Sequence, residues 1–258
     1  MKSSIKAVAL PKEHGAWGYV LEPFVLVLVV AFSLPGLYLM MAAFLFFLAH
    51  RPTSLVARPR NQTQNYLLSI GVSLVYIVGG LLMLVLAFPL LSVKSMLLFG
   101  SGTVIMVGYL VFDIYKKKRS LIAEQVVPVA LSLMALSVPA LAGWPDNRLI
   151  AFFFLLLTRP VPTTFYIHTR LKLDKGVEYS ANMVYFSHSI ALAYAVVAAF
   201  NEWIPKSLIL AVSILTIRAV RGISPFRKRQ NVKQLGIMEF GYGILFVLIT
   251  AAGYILKI

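Results

Sequence analysis

The chain has 258 residues, 60% of them hydrophobic and 13% charged, with a mean hydropathy of +0.85; a water-soluble domain is about half apolar and a quarter charged, so a soluble globular fold is excluded. Lys and Arg number 24 against 9 Asp and Glu, and because the cations sit in separate short segments between apolar runs they point to membrane topology and exclude a nucleic-acid interface. There is no cysteine, which excludes disulfides and thiolate chemistry.

A helix needs about 20 apolar residues to cross about 30 Å of hydrocarbon, and nine apolar runs are predicted as such helices. The first covers 15–33, after Lys2, Lys6 and Lys12. This start has a secretory cast, but Glu22 and Pro23 interrupt the apolar stretch, so it is expected to remain as the first span. Leu34-Pro35-Gly36 turns the chain, the second run returns over 37–50, and a polar stretch follows at 51–65. The third and fourth runs, 66–91 and 95–115, are joined by a short turn and closed by Lys116-Lys117-Lys118-Arg119. The fifth covers 124–143, Trp144-Pro145-Asp146-Asn147 reverses it, and the sixth runs over 148–168 with Pro160 and Pro162 inside it. A second polar loop occupies 169–180, and the last three runs are 181–200, 207–218 and 235–256. Residues 1–258 therefore read as one all-α polytopic transmembrane bundle.

Cytoplasmic loops collect Lys and Arg. With the N-terminus inside, only Lys94, Arg148, Lys206 and Lys257 of the 24 basic residues fall outside, which predicts a cytoplasmic N-terminus and an external C-terminus.

An ionisable side chain deep in hydrocarbon costs at least a few kcal/mol, so each one within a span is a candidate for function. Arg159 lies about 15 Å in from Arg148 at 1.5 Å per residue. Pro160 and Pro162 then remove two amide donors, and irregular backbone at that depth is tolerated only where protein shelters it or it lines a watery cavity. Arg159 is expected to face inward, either as an anion ligand or as the partner of a buried carboxylate. Glu22, about 10 Å deep by the same rise, is the candidate partner and a candidate acid or base. His188 sits at similar depth in the seventh run, as a proton-transfer candidate. Glu124 and Glu239 open the fifth and ninth runs, where acids complement the helix dipole, and Asp113 reads as a surface partner of Lys116 and Lys117.

The loops after the second and sixth runs mix cations with hydrogen-bonding side chains. Arg51, Arg58, Asn61 and Asn65 in the first, Arg170 and Lys175 in the second, and His14 ahead of the first span are candidate ligands of an anionic head group. Arginine forks suit phosphate and carboxylate oxygens, while the same cations serve equally as anchors to anionic lipid. Asp174 and Glu178 are four apart, which on a helical turn puts them on one face as a candidate Mg²⁺ pair, with Asp174 also a candidate acid or base. There is no P-loop, dinucleotide fingerprint, zincin motif or Ser-His-Asp signature.

Pro11-Lys12-Glu13-His14-Gly15-Ala16-Trp17, Arg159-Pro160-Val161-Pro162 with the 166–171 segment, and Leu235-Gly236 followed by Glu239 and Gly243-Ile244-Leu245-Phe246-Val247 resemble the bacterial YwiC-like membrane proteins. The resemblance implies residence in a bacterial inner membrane and brings no established activity. The layout of nine helices with polar loops after the second and sixth is more distantly similar to the UbiA-type intramembrane prenyltransferases, which hold Mg²⁺ and a prenyl diphosphate on Asp-rich motifs in those loops. Here the first loop carries Asn61 and Asn65 and no carboxylate, a departure that weighs against the two-motif site because neutral amides bind Mg²⁺ poorly. Three functions are compatible with these residues: a cytoplasm-facing cavity binding an isoprenoid or other lipid phosphate, with prenyltransferase-like chemistry; a small-molecule or ion transporter built on Glu22, Arg159 and His188; and a non-catalytic assembly or sensor protein.

Overall fold

The computed structural model describes residues 5–10, 14–57, 65–115 and 121–258, without the side chains of 14–16, 110, 112–115, 122 and 123. Among them the chain forms eleven α-helices and no strand: α1 Ile5–Ala9, α2 His14–Val30, α3 Leu34–Val56, α4 Tyr66–Ala87, α5 Val93–Tyr115, α6 Leu121–Leu141, α7 Asp146–Leu157, α8 Pro160–Asp174, α9 Asn182–Phe200, α10 Ser207–Ile223 and α11 Val232–Leu256. Each of the nine apolar runs corresponds to one helix or, for the sixth, to the broken pair α7–α8. Among the described residues six spans are long and apolar enough to cross a membrane on their own, α7–α8 counted as one; Trp17–Val30 and Val93–Tyr109 are apolar but shorter. The protein is a polytopic helical membrane bundle.

Its surface explains why water is the wrong solvent. On α4, Leu67, Leu74, Val75, Val78, Leu81, Leu82, Val85 and Leu86 all point outward, an apolar face far beyond what a soluble monomer carries and suited to lipid. The inward face of α4 is small: Ser69, Ser73, Gly80 and Ala87 are buried. A Cβ on Gly80 would meet the Phe46 ring of α3 at 2.7 Å, so glycine lets the two backbones approach in the manner of membrane helix pairs. The α5–α6 pair repeats the device, since a Cβ on Gly102 would meet the Ala130 carbonyl oxygen at 2.6 Å, and Ser95 Oγ donates across to the Ser137 carbonyl at 3.0 Å. Helix α6 lies deep in the bundle, with Ala130, Ala135, Ser137 and Val138 wholly buried, and packs on α2, α3, α5, α7 and α8. Helix α2 packs on α3, α6 and α11 and contributes Val20, Phe24, Leu26 and Val27 to the main core.

Several helices run further than the apolar runs that announce them, whereas α2 and α4 stop short of theirs. Helix α3 continues to Val56, held at its end by Arg51, whose Nε and Nη2 donate to the Ala7 carbonyl at 2.9 and 2.5 Å. Helix α8 takes over half of the expected 169–180 loop. Helix α10 reaches Ile223, five residues beyond the expected end at Arg218. Helix α11 begins at Val232 because Asn231 and Gln234 form a capping box, which satisfies two donors of the first turn reciprocally.

Candidate functional site

The break in the sixth span falls at Thr158–Arg159. Thr158 is the C-cap of α7 and Arg159 the N-cap of α8. Pro160 occupies the first helical position of α8, where a missing N–H has no cost and the fixed φ is already helical. The prolines thus start a helix rather than distort one. The interruption turns the Arg159 side chain inward, where the residue is 3% exposed.

Arg159 Nη1 donates to Glu22 Oε2 on α2, and Nη2 donates to the Glu239 backbone carbonyl on α11 at 2.7 Å. The Glu239 carboxylate is itself paired: Arg218 Nη1, from α10, donates to its Oε2. Arg218 Nη2 reaches Thr163 Oγ1 on α8 at 3.3 Å, and its guanidinium carbon lies 4.3 Å from the Tyr166 ring centre and 5.5 Å from that of Tyr242, within cation–π range. Two guanidinium groups and two carboxylates from four segments therefore make one neutral quartet. Glycine makes room for it, because a Cβ on Gly243 would lie 2.7 Å from the Glu22 carboxyl carbon and 2.9 Å from Arg159 Nη2.

Each carboxylate uses only one oxygen. Glu22 Oε1, Glu239 Oε1 and Arg159 Nε are buried with no hydrogen-bond partner. Two cavities flank the Arg159–Glu22 pair, one of about 30 Å³ lined by Gly18, Tyr19, Glu22, Arg159, Thr163 and Glu239 among others, the other of about 20 Å³ lined by Tyr19, Glu22, Arg159 and Pro160 among others. Spaces of this size admit one or two waters. Tyr19 borders both, and its hydroxyl shares a 2.9 Å hydrogen bond with Thr164 Oγ1.

Arg159 and Glu22 thus meet as the pair that the sequence offered as one alternative. Glu239, expected as a dipole complement in a first turn, is instead eight residues into α11 and 4% exposed. Arg218, expected at the cytoplasmic edge, is 5% exposed. His188 is buried on α9, Nδ1 bonded to the Val184 carbonyl at 2.8 Å and Nε2 without a partner. Glu124 does lie in the first turn of α6.

Among the described residues the loop candidates form no single site with Arg159. Arg58 and Asn61 lie outside the described residues, as does the side chain of His14. Asn65 caps α4 with φ of 69° and is exposed, and Arg51 spends its fork on Ala7. Asp174 sits fifteen residues beyond Arg159, about 22 Å along α8 at 1.5 Å per residue. Its Oδ2 accepts from Arg170 Nε at 2.8 Å and Gln230 N at 3.3 Å, and its Oδ1 from Arg227 Nε at 3.0 Å. Arg170 also donates to the Gly222 and Lys228 carbonyls. These contacts tie the end of α8 to the segment between α10 and α11. The shared helical face expected for Asp174 and Glu178 does not form, because α8 ends at Asp174 and Gly176 turns the chain at φ of 78°. Both Asp174 oxygens are taken by cations and an amide, Glu178 and Lys175 are exposed, and among the described residues no three His, Asp or Glu side chains cluster as metal ligands. The residues present at this loop do not fit Mg²⁺.

The YwiC-like protein family model matches residues 10–139, just over half of the chain. The match includes the Glu-His-Gly-Ala-Trp string and Glu22; Arg159, Arg218 and Glu239 lie beyond it. No curated protein and no solved structure matches the chain.

Proposed function

We propose, on the premise that the chain belongs to the YwiC-like family, that it is a proton-coupled transporter of a small anion, with Glu22 taking the proton and Arg159 holding the anion. The observation that carries this reading is the break at Thr158–Arg159, where an interrupted helix delivers a cation into the hydrocarbon layer between carboxylates that each keep one oxygen uncommitted. Discontinuous helices that place charged groups at depth are how secondary transporters build substrate and ion sites. A buried ion pair adds little net stability, because desolvation offsets the Coulomb attraction, so a bundle that only had to hold together gains little from four ionisable groups at this depth.

The chemistry is a proton exchange with a charge count. A proton relayed from the bulk through water in the flanking cavity bonds to Glu22 Oε1, the relaying water regaining a proton from the bulk side, and the acid becomes neutral. The quartet then changes from neutral to one net positive charge, which one monovalent anion balances at the released Arg159 Nη1. The resting cavities of about 20 and 30 Å³ are too small for a diphosphate or a lipid head group, which favours a small solute over the isoprenoid reading. The orientation that accompanies this reading places the N-terminus and the α8–α9 and α10–α11 connections in the cytoplasm of a bacterial cell.

The test uses purified full-length protein in sealed vesicles containing a pH-sensitive dye, to which chloride, nitrate, formate and acetate are offered in turn with the membrane potential clamped. Wild-type vesicles should acidify inside faster than protein-free vesicles with at least one of these anions, and Glu22→Gln should remove the excess. Proton movement equal to that of protein-free vesicles for every anion, or retained in full by Glu22→Gln, rejects the proposal.

A further inference from the structure

At the end of the bundle opposite the Asp174 cluster, two concavities adjoin. The first, a bowl of about 620 Å³, is bordered by Arg148, Lys206, Lys257, Glu202 and Tyr254 among others. The second is a groove of about 650 Å³ between α7, the start of α8 and α9, with Ile150, Phe154, Val161, Ile190 and Ala191 among its walls. Asn147 and Trp203 line both, so the charged bowl opens into the apolar groove.

The charges at this end are unevenly used. Of its four basic residues, Lys94 is paired with Asp146 at 2.5 Å. The other three, Arg148, Lys206 and Lys257, all border the bowl, and among the described residues none of them forms an ion pair. Glu202 is the one acidic side chain in the bowl wall, so the side chains there carry a net positive charge. The Arg148 guanidinium carbon lies 3.7 Å above the Trp144 ring, a stacking that fixes the group while spending none of its N–H donors. The Tyr254 hydroxyl, in the same wall, is buried and has no hydrogen-bond partner.

The groove fits a chain. From Asn147 to Pro162 it follows α7 into α8 for fifteen residues, about 22 Å at 1.5 Å each, which exceeds the roughly 15 Å of one leaflet's hydrocarbon. Ile150, Phe154 and Ile190 are exposed along it, so it opens sideways to the bilayer. Trp144, Trp203 and Tyr254 around the bowl are the residue types that settle at a membrane–water boundary. We infer that bowl and groove together bind one anionic phospholipid, with its phosphate held by Arg148, Lys206 and Lys257 and an acyl chain laid between α7 and α9. This site is separate from the Arg159 quartet, and its test does not depend on transport.

The experiment is native mass spectrometry of the full-length chain released from micelles doped with equal amounts of phosphatidylglycerol and phosphatidylcholine of identical chains. Wild type should retain one phosphatidylglycerol per chain in several-fold preference. Each of Arg148→Gln, Lys206→Gln and Lys257→Gln should lower that preference by up to about fivefold, the scale of one cation near a lipid phosphate. Ala191→Trp, which fills the groove, should lower retention of both lipids. Equal retention of the two lipids by wild type, or an unchanged preference with all three cations replaced, overturns the inference. Displacement of the lipid by inorganic phosphate together with indifference to Ala191→Trp would mark a soluble-anion site and overturn it equally. Should the triple variant not fold, tryptophan quenching in wild type decides. Brominated-chain phosphatidylglycerol must quench more than brominated phosphatidylcholine, and equal quenching overturns the assignment.

Discussion

Removing one member of the Arg159–Glu22 pair and then both measures whether the two behave as one unit. Both side chains are almost wholly withdrawn from solvent. Glu22→Leu leaves the guanidinium with the Glu239 carbonyl as its remaining acceptor, and Arg159→Met leaves a carboxylate with no cation of its own. Breaking a buried pair from one side costs about 3–5 kcal/mol, because a bare charge stays behind, whereas replacing both members with apolar groups of similar volume is often neutral or stabilising. The single variants should therefore each lose about 3–5 kcal/mol and the double variant no more than about 2 kcal/mol, a non-additivity of about 4 kcal/mol or more. Equilibrium unfolding in mixed micelles by a denaturing detergent, followed by far-UV circular dichroism, gives the four free energies of the cycle. Singles that add to within about 0.5 kcal/mol would show that the pair is not coupled and refute the reasoning. The double variant also separates stability from work: it should fold, and it should move neither protons nor anions.

Arg218→Ala removes the cation from Glu239 together with the contacts to Thr163 and the Tyr166 ring, so the same unfolding assay should show a loss of about 3–5 kcal/mol, larger than that for any exposed arginine such as Arg221. Gly243→Ala drives a methyl against the Glu22 carboxyl and should cost about 1–3 kcal/mol, while Gly241→Ala, with open space around its Cβ position, should be neutral or stabilise by up to about 1 kcal/mol through helix propensity; equal effects would refute the close approach. Ser33 Oγ accepts from Gly36 N at 3.2 Å at the start of α3, so Ser33→Ala should cost about 1 kcal/mol, again read by unfolding. The chain has no cysteine, which makes orientation directly testable: with a membrane-impermeant thiol reagent added outside intact cells, Asn201→Cys should label and Phe226→Cys, at a site 95% exposed, should not. The reverse pattern would invert the topology.

Run length alone made the helices legible, because a bilayer demands a stretch of apolar residues that a soluble fold does not. Arg159 stood out for the same reason, being isolated in an apolar segment directly before two prolines. Its partner was legible too, since Glu22 interrupts an otherwise apolar run at a comparable depth. The other half of the quartet was hidden by its neighbours. Arg218 is followed by Arg221, Arg227, Lys228 and Arg229 and reads as the first of a cytoplasmic series, although it lies eleven residues, about 16 Å, into α10. Glu239 was misplaced because the apolar run begins at Leu235, whereas the helix begins three residues earlier at its Asn231–Gln234 capping box, an Asn-x-x-Gln pattern visible in the sequence. The bowl left no local signal. Its walls come from three separate stretches of chain, and only the packing of helix ends brings them together.

One turn of chain divides the two sites. Arg159, Pro160 and Thr163 border the inner cavities, while Thr158, Val161 and Pro162 border the apolar groove. The break that aims a guanidinium at Glu22 also leaves, on its outer side, a surface where α7 and α8 do not continue as one helix and α9 does not close over them. A straight helix through 146–174 would remove both features at once: the regular ladder would need amide donors that Pro160 and Pro162 lack. The inward cation and the outward groove are thus two consequences of the same pair of prolines. Anything that fills the groove presses on the segment whose inner face holds the charge quartet.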